Sequence, residues 1–205
     1  MVRRITQKKR GVKTRKEKKL FILGLEGKNE TEKNYFMSFN PILKKARIQC
    51  NVSNTTDPVG LVNDLIKLKK NELLEPDDTI CCVFDADTEP YKEKQIQEAA
   101  KLANTNKIEL IISNPSFEIW FLLHFIYTTK YYDNKSLIDD LKAYVPNYKK
   151  SGSIFNDIKV DTEKAIINAK RLDEHHNQQN KTKYLDRNPS TDVWKLVSWI
   201  SNEIN

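Results

Sequence analysis

The sequence predicts an α/β protein: a parallel sheet of about four strands with helices on both faces, plus a C-terminal helical extension. Three observations predict it. Short apolar runs of strand length recur near residues 20, 48, 79 and 108, and the clearest are apolar on both faces, as in a sheet covered on two sides. Helical patterns separate them, which is the alternation of parallel βαβ units. Beyond about residue 130 no strand pattern remains, only helical spacing broken by polar connections.

The first strand is Leu20-Phe21-Ile22-Leu23-Gly24-Leu25, closed by Glu26-Gly27. Asn29 with Glu32 three positions on forms a capping box, so a helix should follow with Tyr35, Phe36 and Phe39 on its apolar side, ended or kinked at Pro41. Ile48–Val52 is a second short strand. Asp57-Pro58 supplies an N-cap and a helix-starting proline ahead of Leu61, Leu65, Ile66 and Leu68. Thr79–Phe84 is a third strand running into Asp85-Ala86-Asp87, and Gln95–Asn104 is a helix. After a fourth strand at Ile108–Ile112, Ser113-Asn114-Pro115 should cap a helix through Phe125 that is apolar almost all round and therefore buried. Ser136–Val145, Asp161–His175 and Thr191–Ile204 read as the helices of the extension. The chain divides into a basic tail at 1–19, an α/β core at 20–127 and the extension at 128–205.

Charge is distributed unevenly over the 205 residues. The first 20 hold 10 Lys/Arg and one Glu, while the remainder hold 25 basic and 27 acidic side chains. The tail repels itself and should be mobile when free. Its cations Arg3, Arg4, Lys8, Lys9, Arg10, Lys13, Arg15 and Lys16 suit a phosphate backbone, or serve only as a solubilising extension. Cys50, Cys81 and Cys82 form an odd set, two of them adjacent in an apolar run. That pattern predicts reduced, buried thiols and a cytoplasmic protein. No Cys/His spacing fits zinc. No stretch reaches the roughly 18 apolar residues of a spanning helix, so no membrane partner is expected.

Candidate chemistry lies at the strand ends. In an open parallel sheet ligands bind outside the carboxyl ends of the strands, where the strand order switches. Glu26 and the pair Asp85 and Asp87 would converge there. Carboxylates brought together repel unless a cation joins them, and an all-oxygen set selects Mg²⁺ or Mn²⁺. Such a site fits phosphoryl transfer. The competing reading is that these residues are helix caps.

The motifs Leu23-Gly24-Leu25-Glu26-Gly27 with Thr31-Glu32, and Val83-Phe84-Asp85-Ala86-Asp87, resemble the Toprim domain, the metal-binding α/β domain of topoisomerases, primases and OLD-type nucleases. Ser113-Asn114-Pro115-Ser116-Phe117-Glu118 through Phe125 makes the chain similar to the RloB-like subgroup, with weaker echoes at Tyr148-Lys149-Lys150 and Asn188-Pro189-Ser190-Thr191. The resemblance spans residues 20 to about 195. It implies a Toprim-like (Rossmann-like) fold and a Mg²⁺-dependent nuclease of prokaryotic anti-phage defence. Its partners would be nucleic acid and an ABC-type ATPase, with a homodimer as one assembly. The family spaces its first Glu and its Thr-Glu pair one residue closer than Glu26 and Glu32 stand here, which leaves Glu30 and Glu32 both open as metal-facing residues.

Glu118, one turn into an apolar helix beside the fourth strand, reads as ligand or base, since a buried carboxylate is costly unless paired or metal-bound. Lys149 and Lys150 would hold a scissile phosphate or form a solvated pair. His124 lies about 240° around the helix from Glu118 and reads as a core histidine. Trp120, Trp194 and Trp199 sit in apolar stripes and read as core or interface. The function expected is a metal-dependent endonuclease, with RNA favoured over DNA by analogy with related defence Toprim proteins. The alternative is a catalytically inactive subunit that binds nucleic acid or nucleotide.

Overall fold

The computed structural model describes residues 18–27, 30–72, 74–87 and 89–204. The elements in chain order are β1 (Lys19–Glu26), α1 (Thr31–Met37), β2 (Ala46–Ser53), α2 (Pro58–Asn71), β3 (Thr79–Asp85), α3 (Lys92–Thr105), β4 (Glu109–Asn114), α4 (Glu118–Leu122), α5 (Asn134–Lys142), α6 (Phe155–Ile158), α7 (Thr162–Gln178), β5 (Ser190–Thr191) and α8 (Val193–Ser201). The sheet has five strands in the order β2-β1-β3-β4-β5. The first four are parallel, and β5 pairs antiparallel with the end of β4.

Alternation of side chains along the central strands divides the core in two. Phe21, Leu23 and Leu25 of β1 with Cys81 and Val83 of β3 face one layer. That layer holds α1 and the helices from α4 to α8, down to Ile200. Ile22, Ile80, Cys82 and Phe84 face the other, formed by α2 and α3. Helices therefore cover both sheet faces, which is why the strands carry apolar residues on both. Among the described residues no helix is long and apolar enough to cross a membrane.

Local chemistry explains most element limits. The Asp57 carboxylate accepts from the N–H groups of Val59 (3.2 Å) and Gly60 (2.7 Å), and Pro58 takes the first helical position of α2. Pro41 lies in a 3₁₀ turn at Asn40–Ile42 after α1 has ended. The Asn40 amide both accepts from and donates to the Ile48 backbone (2.8 and 3.0 Å), covering part of the edge strand β2.

Several expectations need correction. Lys19 belongs to the sheet: it pairs with Ala46, and its amine meets Glu203 at 3.2 Å, so the basic tail ends earlier than predicted. The α1 helix begins at Thr31 with Glu30 at its cap position and no side-chain cap bond, whereas Asn29 lies outside the described residues. Ser113 and Asn114 do not cap a helix. They finish β4, where the Ser113 and Thr191 hydroxyls meet at 2.8 Å across the sheet edge. The long helix predicted through Phe125 is α4, only five residues. Residues beyond 130 also add a strand, β5, and a short helix, α6. The predicted mobile tail at 1–17 lies outside the described residues.

Candidate metal and phosphate site at the strand ends

The carboxyl ends of β1 and β3 lie side by side, with β2 beyond β1 and β4 beyond β3. Leu25 pairs with Val83, and Asp85 pairs with Ser113, so Glu26, Asp85 and the start of the α4 segment share one edge of the sheet. Asp85 continues the alternation of Cys81 and Val83 and so falls on the side of α1 and α4. Both glycines of the first motif have steric causes. A Cβ on Gly27 would stand 2.3 Å from the Ser53 carbonyl oxygen, and one on Gly24 would stand 2.7 Å from Leu65. The backbone beside Glu26 is thus pressed against the end of β2.

Glu118 opens α4 and is 2 % exposed. Ser116 Oγ donates to its Oε2 (2.7 Å), the Tyr148 hydroxyl donates to its Oε1 (3.0 Å), and Lys150 Nζ lies 3.6 Å from Oε1. Both oxygens are therefore engaged, which is what makes a buried carboxylate tolerable. Burial, then the Glu118 charge, pushes the Tyr148 hydroxyl up. The segment carrying Lys150 is tied to α1: the Asn34 amide donates to the Ser151 carbonyl (2.9 Å), and the Ser151 N–H donates to Thr31 Oγ1 (3.1 Å).

Glu32, in the first turn of α1, is also buried, and its Oε2 has no hydrogen-bond partner. Burial raises its carboxyl to about 7; its own N–H and Lys150 oppose the shift, and Glu118 and Glu26 add to it. Asp85 Oδ1 is likewise buried and without a partner. Its carboxyl is held well above the usual range, first by burial and then by the charges of Glu32, Glu118 and Asp87. Glu32, Asp85 and Glu118 thus form one neighbourhood of mutually repelling, desolvated acids.

Two orphaned carboxylate oxygens, with no nitrogen or sulfur donor among these acids, fit a hard divalent cation. Among the described residues no group of three or more His, Cys, Asp or Glu side chains stands at metal-holding spacing. Any ion here would take the rest of its shell from water or substrate oxygens.

The remaining predicted residues fall as follows. Of the two alternatives on α1, Glu32 faces the acids; Glu30 is 61 % exposed in its side chain and pairs with Lys33 at 3.1 Å. Asp87 has φ 51° and its Oδ2 meets Lys92 Nζ at 3.4 Å. Lys150 reaches Glu118, whereas Lys149 is exposed and forms no ion pair or side-chain hydrogen bond among the described residues. His124 is fully buried, and its Nδ1 donates to the Trp120 carbonyl (2.9 Å), a core role. Trp120 is buried, and Trp194 and Trp199 pack against the same core. Arg3, Arg4, Lys8, Lys9, Arg10, Lys13, Arg15 and Lys16 lie outside the described residues. Sequence reasoning missed Ser116, Tyr148 as a hydroxyl donor, and the buried Lys92.

A family model described as RloB-like protein matches residues 21–200. The chain belongs to the RloB-like family. The match covers the acids of this RloB-like protein from Glu26 to Glu118, together with Lys150 and the helices behind them, and leaves out the basic tail. No curated protein and no solved structure matches the chain.

Proposed function

We propose that this RloB-like protein is a Toprim-type, divalent-metal-dependent nuclease, the effector of an anti-phage abortive-infection system under an ABC-type ATPase. One observation carries the reading: Glu32 Oε2 and Asp85 Oδ1 are buried without partners inside a cluster of like charges. Uncompensated buried carboxylates are costly, and such clusters concentrate at functional sites. Glu32 and Asp85 would hold Mg²⁺ or Mn²⁺, with Glu26 and Asp87 at the same strand ends. The ion, when bound, would supply charge neutralisation at a phosphate. Glu118, clamped by Ser116 and Tyr148, is held in a fixed orientation beside that position. Lys150 offers a cation to a phosphate oxygen. RNA is favoured over DNA by analogy alone.

The second reading is a subunit that binds nucleic acid or nucleotide without cutting it. It is supported by the lack, among the described residues, of any three ligating side chains already at metal-holding spacing. Incubating the full chain with end-labelled RNA and DNA in Mg²⁺ or Mn²⁺, beside Asp85→Asn and Glu32→Gln, separates the two. Cleavage lost in both variants supports the nuclease. Calorimetric metal binding by the parent without any cleavage supports the binding subunit. Cleavage that survives both substitutions sinks the site itself.

A further inference from the structure

The outer edge of the sheet holds a cavity of about 670 Å³, which shares no lining residue with the acid cluster. It lies between α3, the edge strand β4, and the 182–187 segment with α7 and α8. Its size falls within the range of roughly 300–1,000 Å³ seen for small-molecule sites.

The β4 backbone forms one wall. The Asp192 N–H donates to the Ile112 carbonyl (2.8 Å), and Asp192 Oδ2 accepts from the Ile112 N–H (3.4 Å). Ile112 therefore turns its peptide groups outward, and by alternation so does Leu110. In the antiparallel register set by Ser113↔Thr191, the position opposite Leu110 is 194, but there the chain has already turned into α8. The Leu110 N–H and C=O consequently face the cavity with no protein partner among the described residues. Above them stands Asn114, 2 % exposed. Its Nδ2 donates to the carbonyls of Tyr184 (2.9 Å) and Leu185 (3.3 Å), which fixes the amide orientation and leaves Oδ1 without a partner. The Tyr184 ring supplies an aromatic wall. The lining charges are largely satisfied in pairs, Arg187 with Asp173 (3.0 Å) and Lys195 with Asp192 (2.6 Å).

We propose that this cavity binds the nucleobase of a nucleoside or nucleoside monophosphate. The free edge is one residue long, since Asp192 already covers Ile112. One donor and one acceptor side by side suit the edge of a base; strand addition by a peptide would need a longer run of free groups. Tyr184, which lines the cavity, offers a stacking face. A charge-balanced wall does not require a phosphate, although Lys107, which has no ion pair among the described residues, lines the same cavity. The proposal is independent of the metal-site reading, and binding is expected without added metal.

The test titrates adenosine, guanosine, cytidine and uridine, and separately their 5′-monophosphates, into the ¹⁵N-labelled full chain. At least one base should bind with Kd below about 1 mM and shift the Leu110 amide. Equal affinity of nucleoside and monophosphate identifies the base alone as the ligand; tighter monophosphate binding adds Lys107. Tyr184→Ala should weaken binding about tenfold or more, the order expected for a lost base–aromatic stack. No binding of any of the eight compounds at about 10 mM, or binding that leaves the Leu110 amide unmoved, overturns the proposal whether or not the variant folds.

Discussion

Gly24→Ala tests why the first strand must carry glycine where α2 crosses it. The new Cβ would stand 2.7 Å from both Cγ and Cδ1 of Leu65 and 2.9 Å from Cδ2. Ordinary carbon contacts lie at about 3.5–4.0 Å, so roughly an ångström of movement is required. Because Cγ is among the atoms hit, rotating only the end of the Leu65 side chain is not enough: the side chain must leave its χ1 rotamer in a packed core, or α2 must shift. Overpacking of this kind costs about 1–3 kcal/mol. For a chain of this size that lowers Tm by about 2–4 °C per kcal/mol. Leu65→Ala alone removes a buried side chain and should cost about 2–5 kcal/mol. In the double variant the added methyl enters the space that Leu65 vacates. The combined loss should therefore fall short of the sum by about 1 kcal/mol or more. Urea unfolding of the four proteins measures this directly. Strict additivity, or an unchanged midpoint in Gly24→Ala, would refute the steric account.

Three further outcomes are expected. Burial lowers the His124 ring to about 4, and its folded pKa lies below the unfolded value, so its contribution is complete above about pH 6.5 and is lost as pH falls toward 4. Urea unfolding should show about 2 kcal/mol of stability lost between pH 7.5 and 5 that His124→Leu does not lose. Tyr148→Phe removes one donor to the buried Glu118 and should destabilise by about 1.5–3 kcal/mol, read as a lower Tm, while Tyr144→Phe, at an exposed position, should not. Deleting residues 2–17 should weaken nucleic-acid binding and flatten its dependence on salt, measured by fluorescence anisotropy. An unchanged slope would make the tail a solubilising extension.

The four parallel strands, their βαβ alternation and the Asp57 cap were readable because each rests on local pattern: apolar runs, helical spacing, a cap followed by proline. The meeting of β1 and β3 followed from a general rule of open sheets. What escaped depends on distant partners. Glu118 is satisfied by Ser116 and by Tyr148, thirty positions away, and no periodicity announces that contact. The choice of Lys150 over Lys149 is set by the tether from Ser151 to α1. Two-residue β5 has no pattern to read; it exists because Thr191 and Asp192 satisfy the β4 edge. Ser113 and Asn114 looked like a cap because the same small polar residues that end helices also bond across strands.

Phe21 at the start of the sheet and Ile200 near the end of the chain belong to one buried cluster. A ribosome delivers the first long before the last. Until α8 emerges, the face formed by α4 and α7 lacks Val193, Leu196, Val197 and Ile200 and stays open to solvent. A nascent chain halted in the polar segment before β5 would present this surface to itself and to its neighbours. Chains that stop before α8 should therefore be prone to aggregation and clearance.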